Sequence, residues 1–182
     1  MKPKTTPLIT MRAGFDRLFE AAGYVSGLFL LGTLLAVLTS ILGRLHPAFD
    51  LPGADAYAGY CMASSAFLAL APTLRRGEHI RVSLILGHLP QKAHSALDIG
   101  CHVVAVGLSV ALAWFSVRLV LVSHQFTDIS TGLDATPLWI PQLGMAAGAL
   151  LFALAFLEQL MLLLGGQPLL ENADGQVVGH VE

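Results

Sequence analysis

Long apolar runs separated by short charged segments dominate the pattern of the chain. Four runs of 19 or 23 residues carry no formal charge, close to the roughly 20 residues that a helix needs to cross a hydrocarbon core about 30 Å thick. Leu, Ala, Val and Gly fill these runs with little strict alternation, which favours helices over the strands of a membrane barrel. The pattern predicts an all-α integral membrane protein with four transmembrane helices, at about residues 18–43, 55–75, 96–122 and 138–164.

The composition supports a membrane protein and argues against a nucleic-acid-binding one. Hydrophobic residues make up 55% of the 182 residues and charged residues 12%, with a mean hydropathy of +0.70. A soluble domain carries about twice that share of charge. The net charge of −2 leaves no basic face for nucleic acid. The first run is longer than the apolar core of a secretory signal, and no small-residue cleavage site follows it. We therefore treat residues 1–182 as a single membrane domain.

The basic residues predict the orientation of the spans. Cytoplasmic segments of membrane proteins carry an excess of Lys and Arg. Eight of the ten basic residues precede the first span or lie between the second and third, namely Lys2, Lys4, Arg12, Arg17, Arg75, Arg76, Arg81 and Lys92. An even number of spans places both termini on one side of the membrane. We therefore expect both termini to be cytoplasmic.

The densest cluster of charge, RRGEHIRV, follows the second apolar run. Arg75 and Arg76 suit the last turn of a helix, whose free carbonyls carry a partial negative charge, and Gly77 suits a left-handed cap. Residues 78–90 then fit a short amphipathic helix in the membrane interface, ended by a proline. We expect lipid, the other spans or a partner protein to cover its apolar side.

Aromatic side chains mark the opposite interface. Tyr57 and Tyr60 open the second span, Trp114 lies near the outer end of the third, and Trp139 opens the fourth. Such rings favour the interface because one edge is apolar and the other can form a hydrogen bond. We expect these residues to anchor the outer ends of the spans.

Three carboxylates, Glu20, Asp98 and Glu158, fall at the cytoplasmic edge of the predicted spans. A charge at the bilayer centre costs roughly 2.5–3.5 kcal/mol, so acidic residues in membrane helices are candidates for function. Ion pairing with the inner-edge arginines is the leading interpretation, and proton coupling is the alternative. Because the spans carry no charge near the midplane and no clearly broken helix, we expect no substrate, catalytic or metal site in this chain and no enzymatic activity.

The seven histidines raise a different function, the membrane anchor of a redox enzyme with b-type haem. Two axial ligands at one depth would normally come from facing helices. His102 and His124, however, bracket the third span, and the other three runs contain no histidine. Cys61 and Cys101 form no CxxC pair for a metal or for thiol exchange. We expect no cofactor and keep the haem anchor as the alternative function.

Small residues in the first and last spans predict close helix contacts. They are Gly23, Ser26 and Gly27 in the first span and Gly144, Ala147 and Gly148 in the last. Small side chains let the backbones of two membrane helices approach closely. The sequence leaves open whether the contact is within this chain or with another subunit.

Two motifs resemble those of a known transporter family. Residues 75–90, RRGEHIRVSLILGHLP, are similar to the loop signature of the small membrane subunit of tripartite ATP-independent periplasmic (TRAP) transporters, the DctQ family. The matching positions are Arg76, Gly77, His79, Ile80, Val82, Leu89 and Pro90. TPLWIPQLG resembles the family's start of the last helix through Pro137, Trp139 and Pro141. The resemblance covers roughly residues 15–165, with one departure at Ser83, where members often carry Asp.

The resemblance implies a non-catalytic permease subunit in a bacterial inner membrane. In that family the small subunit scaffolds a large permease subunit, here a separate chain, which carries the substrate and sodium sites. A periplasmic binding protein delivers the substrate, typically an organic acid. We expect partner or lipid contacts at Arg75, Arg76, Gly77, His79, Arg81, Val82 and Trp139.

Overall fold

A computed structural model describes residues 7–46, 51–75, 91–132 and 134–164 of the chain. For residues 7–13, 91–96 and 98 it describes the helical backbone alone. The described residues form four helices, α1 (Pro7–Leu45), α2 (Ala54–Arg75), α3 (Gln91–Gln125) and α4 (Trp139–Leu164). The segment 78–90, predicted as an interfacial helix, lies outside the described residues.

Proline and glycine set several helix ends. Pro7 is the first residue of α1, a position where its missing N–H costs no helical hydrogen bond. Pro47 stands two residues after the end of α1, and a residue before proline disfavours the helical conformation. Gly53 precedes α2 with φ of +83°, a left-handed conformation that glycine adopts readily. Pro141 lies in the first turn of α4, where proline is tolerated.

The helices pack as an open row in the order α1, α2, α4, α3. Within the described residues, the extensive contacts join α1 to α2, α2 to α4 and α4 to α3. Ser26 of α1 lies against Ser65 of α2, and Ser40 near the end of α1 reaches Asp55 at the start of α2. These two pairs show that α1 and α2 are antiparallel. Helices α1 and α3 form the ends of the row.

Glycines on α4 let its backbone touch that of α2. A methyl group added to Gly148 would lie 2.7 Å from the backbone nitrogen of Leu68, and one added to Gly144 would lie 2.8 Å from Cβ of Ser64. Residue numbers rise together along this contact, so α2 and α4 run parallel. The contact that the small residues predicted is therefore within the chain.

Hydroxyl groups join α1 to α2 on the other side. Ser26 donates to the carbonyl oxygen of Ser65 at 2.9 Å, and Ser65 donates to the carbonyl oxygen of Ser26 at 2.9 Å. Both residues are buried. Hydrogen bonds of this kind between membrane helices contribute about 0.6 kcal/mol on average. The reciprocal pair therefore fixes the register of α1 against α2 more than it adds stability.

Three of the described helices are long and apolar enough to cross a membrane, namely residues 14–45, 99–125 and 139–164. Helix α2 is less apolar because it contains Asp55, two buried serines and several alanines. It also lies between α1 and α4, so protein rather than lipid covers two of its sides. Small and polar side chains suit that position, since they allow close approach and find partners there.

The predicted spans agree with the helices in position and differ in length. Helix α2 and helix α4 begin and end within one residue of the predicted bounds, whereas α1 and α3 extend further at both ends. Helix α3 continues to Gln125, so Trp114 lies about 16 Å before its end at roughly 1.5 Å per residue. Trp114 is thus nearer the middle of the helix than the sequence pattern indicated.

We expect Gly148→Ala to destabilise the protein. The added methyl group would collide with the backbone of α2 at Phe67 and Leu68, and overpacking of this kind costs about 1–3 kcal/mol. Gly59→Ala is the matched control, because a methyl group there meets nothing within 4 Å and alanine is the better helix former. The free energy of unfolding in detergent measures both, and equal values for the two variants would contradict the predicted contact.

Candidate functional site

Two belts of polar side chains lie near the ends of the helices. We name the belts after the predicted orientation, so that the inner belt contains Asp16, Arg75 and Glu158 and the outer belt contains Ser40, Asp55 and Trp139. At roughly 1.5 Å per residue, the belts are about 36 Å apart along α1, about 30 Å apart along α2 and about 29 Å apart along α4. The hydrocarbon core of a bilayer is about 30 Å thick. The belts are therefore spaced to lie at the two membrane surfaces.

Arg75 is the centre of the inner belt. Its side chain is 10% exposed, and its Nη2 donates to Oε1 of Glu158 on α4 at 3.0 Å. Its Nη1 donates to Oδ1 of Asp16 on α1. One guanidinium at the end of α2 therefore holds a carboxylate from each neighbouring helix.

Phe19 encloses the arginine from the side of α1. Cζ of Arg75 lies 4.9 Å from the centre of the Phe19 ring, within range of a cation–π interaction. Phe19 is only 2% exposed and packs with Ala71, Leu74 and Ala155 in the buried cluster that joins α1, α2 and α4. Nε of Arg75 is buried and has no hydrogen-bond partner among the described residues.

The three predicted inner-edge carboxylates have different surroundings. Glu158 is 12% exposed and bonds to Arg75. Glu20 is exposed and accepts a hydrogen bond from the hydroxyl of Tyr24 at 3.4 Å, four residues along α1. Asp98 lies on α3, and its side chain is outside what the structure describes. Of the two whose side chains are described, Glu158 is joined to Arg75 and Glu20 to Tyr24.

The predicted partner and lipid contacts fall mostly outside the described residues. Arg76, Gly77, His79, Arg81 and Val82 belong to that part of the chain. Arg75 and Trp139 are described. Both of these bond or pack within the chain, and their contact with a partner or lipid stays a prediction.

Sequence reasoning missed Asp16, the second carboxylate on Arg75. A signal for it exists in the spacing of Asp16, Phe19, Gly23 and Ser26, which places all four on one face of a helix. That face is the one turned towards α2, where Gly23 lies beside Pro72. A carboxylate in line with small and buried residues indicates a partner on the facing helix.

The loop between α3 and α4 folds back onto the start of α2. An antiparallel bridge joins Ile129 to Pro137, and Leu138 donates its N–H to the carbonyl of Asp128 at 3.0 Å. Asp134 accepts hydrogen bonds from Ser130 at 2.8 Å and from the hydroxyl of Tyr60 on α2 at 3.2 Å. The tyrosine predicted as a membrane anchor therefore also holds this loop.

Asp134 is held in its ionised form by these contacts. Desolvation alone would raise the pKa of its carboxyl, but hydrogen bonds from Ser130, Thr136 and Tyr60 outweigh that effect and lower the pKa below its ordinary value of 3.8. A lowered pKa in the folded state stabilises the loop above the ordinary pKa. The contribution is lost as the pH falls through the lowered pKa, so it is complete at neutral pH.

Trp139 packs against a histidine of its own chain. Its ring meets the ring of His124 edge to face, with the ring centres 5.4 Å apart. His102 and His124 stand about 33 Å apart along α3 at roughly 1.5 Å per residue. The described residues contain no group of three histidines, cysteines or carboxylates placed to hold a metal ion.

We expect Arg75→Met to destabilise the chain strongly. The substitution leaves Glu158 nearly buried without its cation, and breaking a buried pair in this way costs about 3–5 kcal/mol. Arg44→Met is the control, because Nη2 of Arg44 lies 4.0 Å from Oδ2 of Asp55 and both side chains are highly exposed. Exposed ion pairs of this kind contribute about 0–1 kcal/mol. The free energy of unfolding in detergent distinguishes them.

The double variant Arg75→Met/Glu158→Leu tests the physical cause. Removing both charges leaves no uncompensated carboxylate at Glu158, so most of the lost stability should return. A double variant as unstable as Arg75→Met alone would show that lost packing, rather than the ion pair, accounts for the effect.

We expect Asp134→Ala to loosen the loop between α3 and α4. The change removes the acceptor shared by Tyr60 and Ser130, so amide hydrogen exchange of Ser130 and Leu138 should accelerate. Asp128→Ala in the same loop is the control, because the carboxylate of Asp128 is exposed and forms no hydrogen bond or ion pair with a described residue. Equal exchange in the two variants would contradict the role of Asp134.

Comparison with protein families identifies the chain. The model of the DctQ component of tripartite ATP-independent periplasmic transporters matches residues 33–166. This range includes Arg75, Asp134, Trp139 and Glu158, while Asp16 precedes it. Comparison with curated proteins gives no match. Because the match covers most of the chain and the helices are those of a membrane protein, the protein belongs to the DctQ family of TRAP transporter components.

Proposed function

We propose that this chain is the small permease subunit of a secondary-active TRAP transporter and acts as a fixed scaffold for a separate large permease subunit. The observation that carries the proposal is the family match over residues 33–166. The ion pairs that join α1, α2 and α4 within the chain support it. Family membership makes the chain a transporter component rather than an enzyme. The role as a scaffold goes beyond family membership and is our proposal.

The proposal includes four membrane crossings. Helix α2 has 22 residues, or about 33 Å at roughly 1.5 Å per residue, which is enough to cross the hydrocarbon core. It runs antiparallel to α1 and parallel to α4, with its ends at the two polar belts. This arrangement supports α2 as a fourth span despite its lower hydropathy.

The proposed orientation places both termini in the cytoplasm of a bacterial cell, with the chain in the inner membrane. Arg75 marks the inner belt, and most of the basic residues lie on that side in the sequence. The loop held by Asp134 would then face the periplasm. The segment 78–90 would lie along the cytoplasmic interface as a short helix.

The proposed transport reaction is sodium-coupled uptake of an organic acid. The large permease subunit would carry the substrate and sodium sites, and a periplasmic binding protein would deliver the substrate. In this chain, the described charges of the inner belt bond to each other within the helix bundle. Those side chains therefore stabilise the contact between helices. This role supports a scaffold rather than a transport pathway through these helices.

Co-purification and uptake together test the proposal. A tagged copy of the chain, expressed with the large permease subunit from the same genome, should retain that subunit through purification in mild detergent. Deleting the small subunit should abolish substrate uptake, and restoring it should recover uptake. A chain that purifies alone, together with uptake that survives its deletion, would refute the scaffold function. Purification with a haem absorbance band would favour the redox anchor.

A further inference from the structure

The two ends of the helix row present different outer faces. The outer face of α1 is built mainly from leucines, with Leu28, Leu31 and Leu35 each more than half exposed. The face of α3 that points away from α4 has a different composition. Its spacing places Gly100, Val104, Gly107, Ala111, Trp114 and Arg118 on one face, which we name the α3 outer face.

The buried residues of α3 establish which way this face points. Ala113 packs with Ala149 and Ala153 of α4, and Ser109 and Ser123 are also buried. These three positions on α3 share the helix face opposite to Gly107, Ala111 and Arg118. The α3 outer face is therefore turned away from α4, and no helix among the described residues covers it.

Two polar groups on this face are unsuited to lipid tails. Arg118 is exposed and forms no ion pair or hydrogen bond with any described residue. It lies about 10 Å before the end of α3 at roughly 1.5 Å per residue, inside the apolar stretch 99–125. Trp114, one turn earlier, is 68% exposed, and its indole N–H has no acceptor within the described part of the chain. Hydrocarbon offers neither an anion nor an acceptor.

The same face has room for a second helix. A methyl group added to Gly100 or Gly107 would meet nothing within 4 Å, and Ala111 continues the line of small residues one turn further along α3. Small residues at this spacing let another backbone approach closely, as Gly144 and Gly148 do between α4 and α2. The α3 outer face thus combines a shallow groove with a cation that no described residue pairs.

We propose that the α3 outer face binds a transmembrane helix of the large permease subunit, and that this helix places a carboxylate opposite Arg118. The proposal rests on the proposed function, which supplies a separate membrane subunit as the partner. A carboxylate satisfies the guanidinium in the apolar layer, and the groove at Gly107 admits the backbone that carries it. The leucine face of α1, in contrast, is left to lipid.

Photo-crosslinking in the intact complex tests the location of the interface. A photoreactive phenylalanine derivative replaces Ala111 on the α3 outer face or Leu31 on the α1 outer face, after the unsubstituted chain has been shown to retain the large subunit. We expect a covalent adduct with the large subunit from position 111 and none from position 31. An adduct from 31 alone, an adduct between two copies of this chain, or lipid adducts alone at 111 would overturn the proposal while leaving the scaffold function intact. Failure of the unsubstituted chain to retain the large subunit would overturn both.

Matched substitutions test the groove and the charge. Gly107→Leu should lower recovery of the large subunit by about tenfold, whereas Gly27→Leu, at an equally open glycine of α1, should leave it unchanged. Arg118→Glu should lower recovery by about tenfold, and Arg118→Lys should retain most of it. Thermal stability of each variant chain alone controls for misfolding. Equal recovery with Gly107→Leu and Gly27→Leu, or full recovery with Arg118→Glu, would overturn the proposal.

Discussion

The ion pairs of Arg75 set the relative positions of three helices. One guanidinium holds Asp16 of α1 and Glu158 of α4 at the inner end of α2, with the ring of Phe19 beside it. A nearly buried arginine is stable only when its charge is matched, so Asp16, the end of α2 and Glu158 must lie at a common level. At the other end, Asp134 and Tyr60 fasten the loop between α3 and α4 to α2. The bundle is therefore held at both membrane surfaces.

Between these two levels, contact depends on small side chains rather than on large apolar ones. Lipid tails are as apolar as leucine, so burying leucine between membrane helices brings little gain. Helix α2 meets α4 through glycines and α1 through paired serines. Helix α2 is less apolar than the other helices because it lies between α1 and α4, where small and polar residues make the contacts. The leucines are instead exposed on α1, where lipid is a suitable solvent.

An open row of helices suits a subunit that supports another protein. A closed bundle buries the inner face of every helix, whereas this row leaves α1 and α3 each packed on one side by the described helices. The charges of the inner belt are bonded to one another within the bundle, so they are not available for a moving substrate. Arg118 on α3 differs, because no described residue neutralises it. The features that support a scaffold and those that point to its partner thus lie on different surfaces.

Much of the fold could be predicted from the sequence because each helix must be long and apolar enough for its surroundings. The charge-free runs predicted the positions of the four helices, and two motifs indicated the family. The sequence also placed Glu158 at the level of the arginines, since depth follows from the fixed rise of a helix. The bonding of Asp16 to Arg75 could not be read in the same way. Asp16 precedes the charge-free run, and its partner stands on another helix.

The sequence by itself determined which segments are helical, where they lie along the chain and at what level Glu158 lies. Tertiary structure alone decided which helices are neighbours, which carboxylates share Arg75, and which face of α3 is left uncovered. The physical reason is that length and hydropathy are properties of a single helix and can be read from its own residues. Partner choice depends instead on where small residues allow two backbones to touch, as Gly144 and Gly148 allow α4 to touch α2. In a nearly uniform apolar chain, that local contact selects the arrangement.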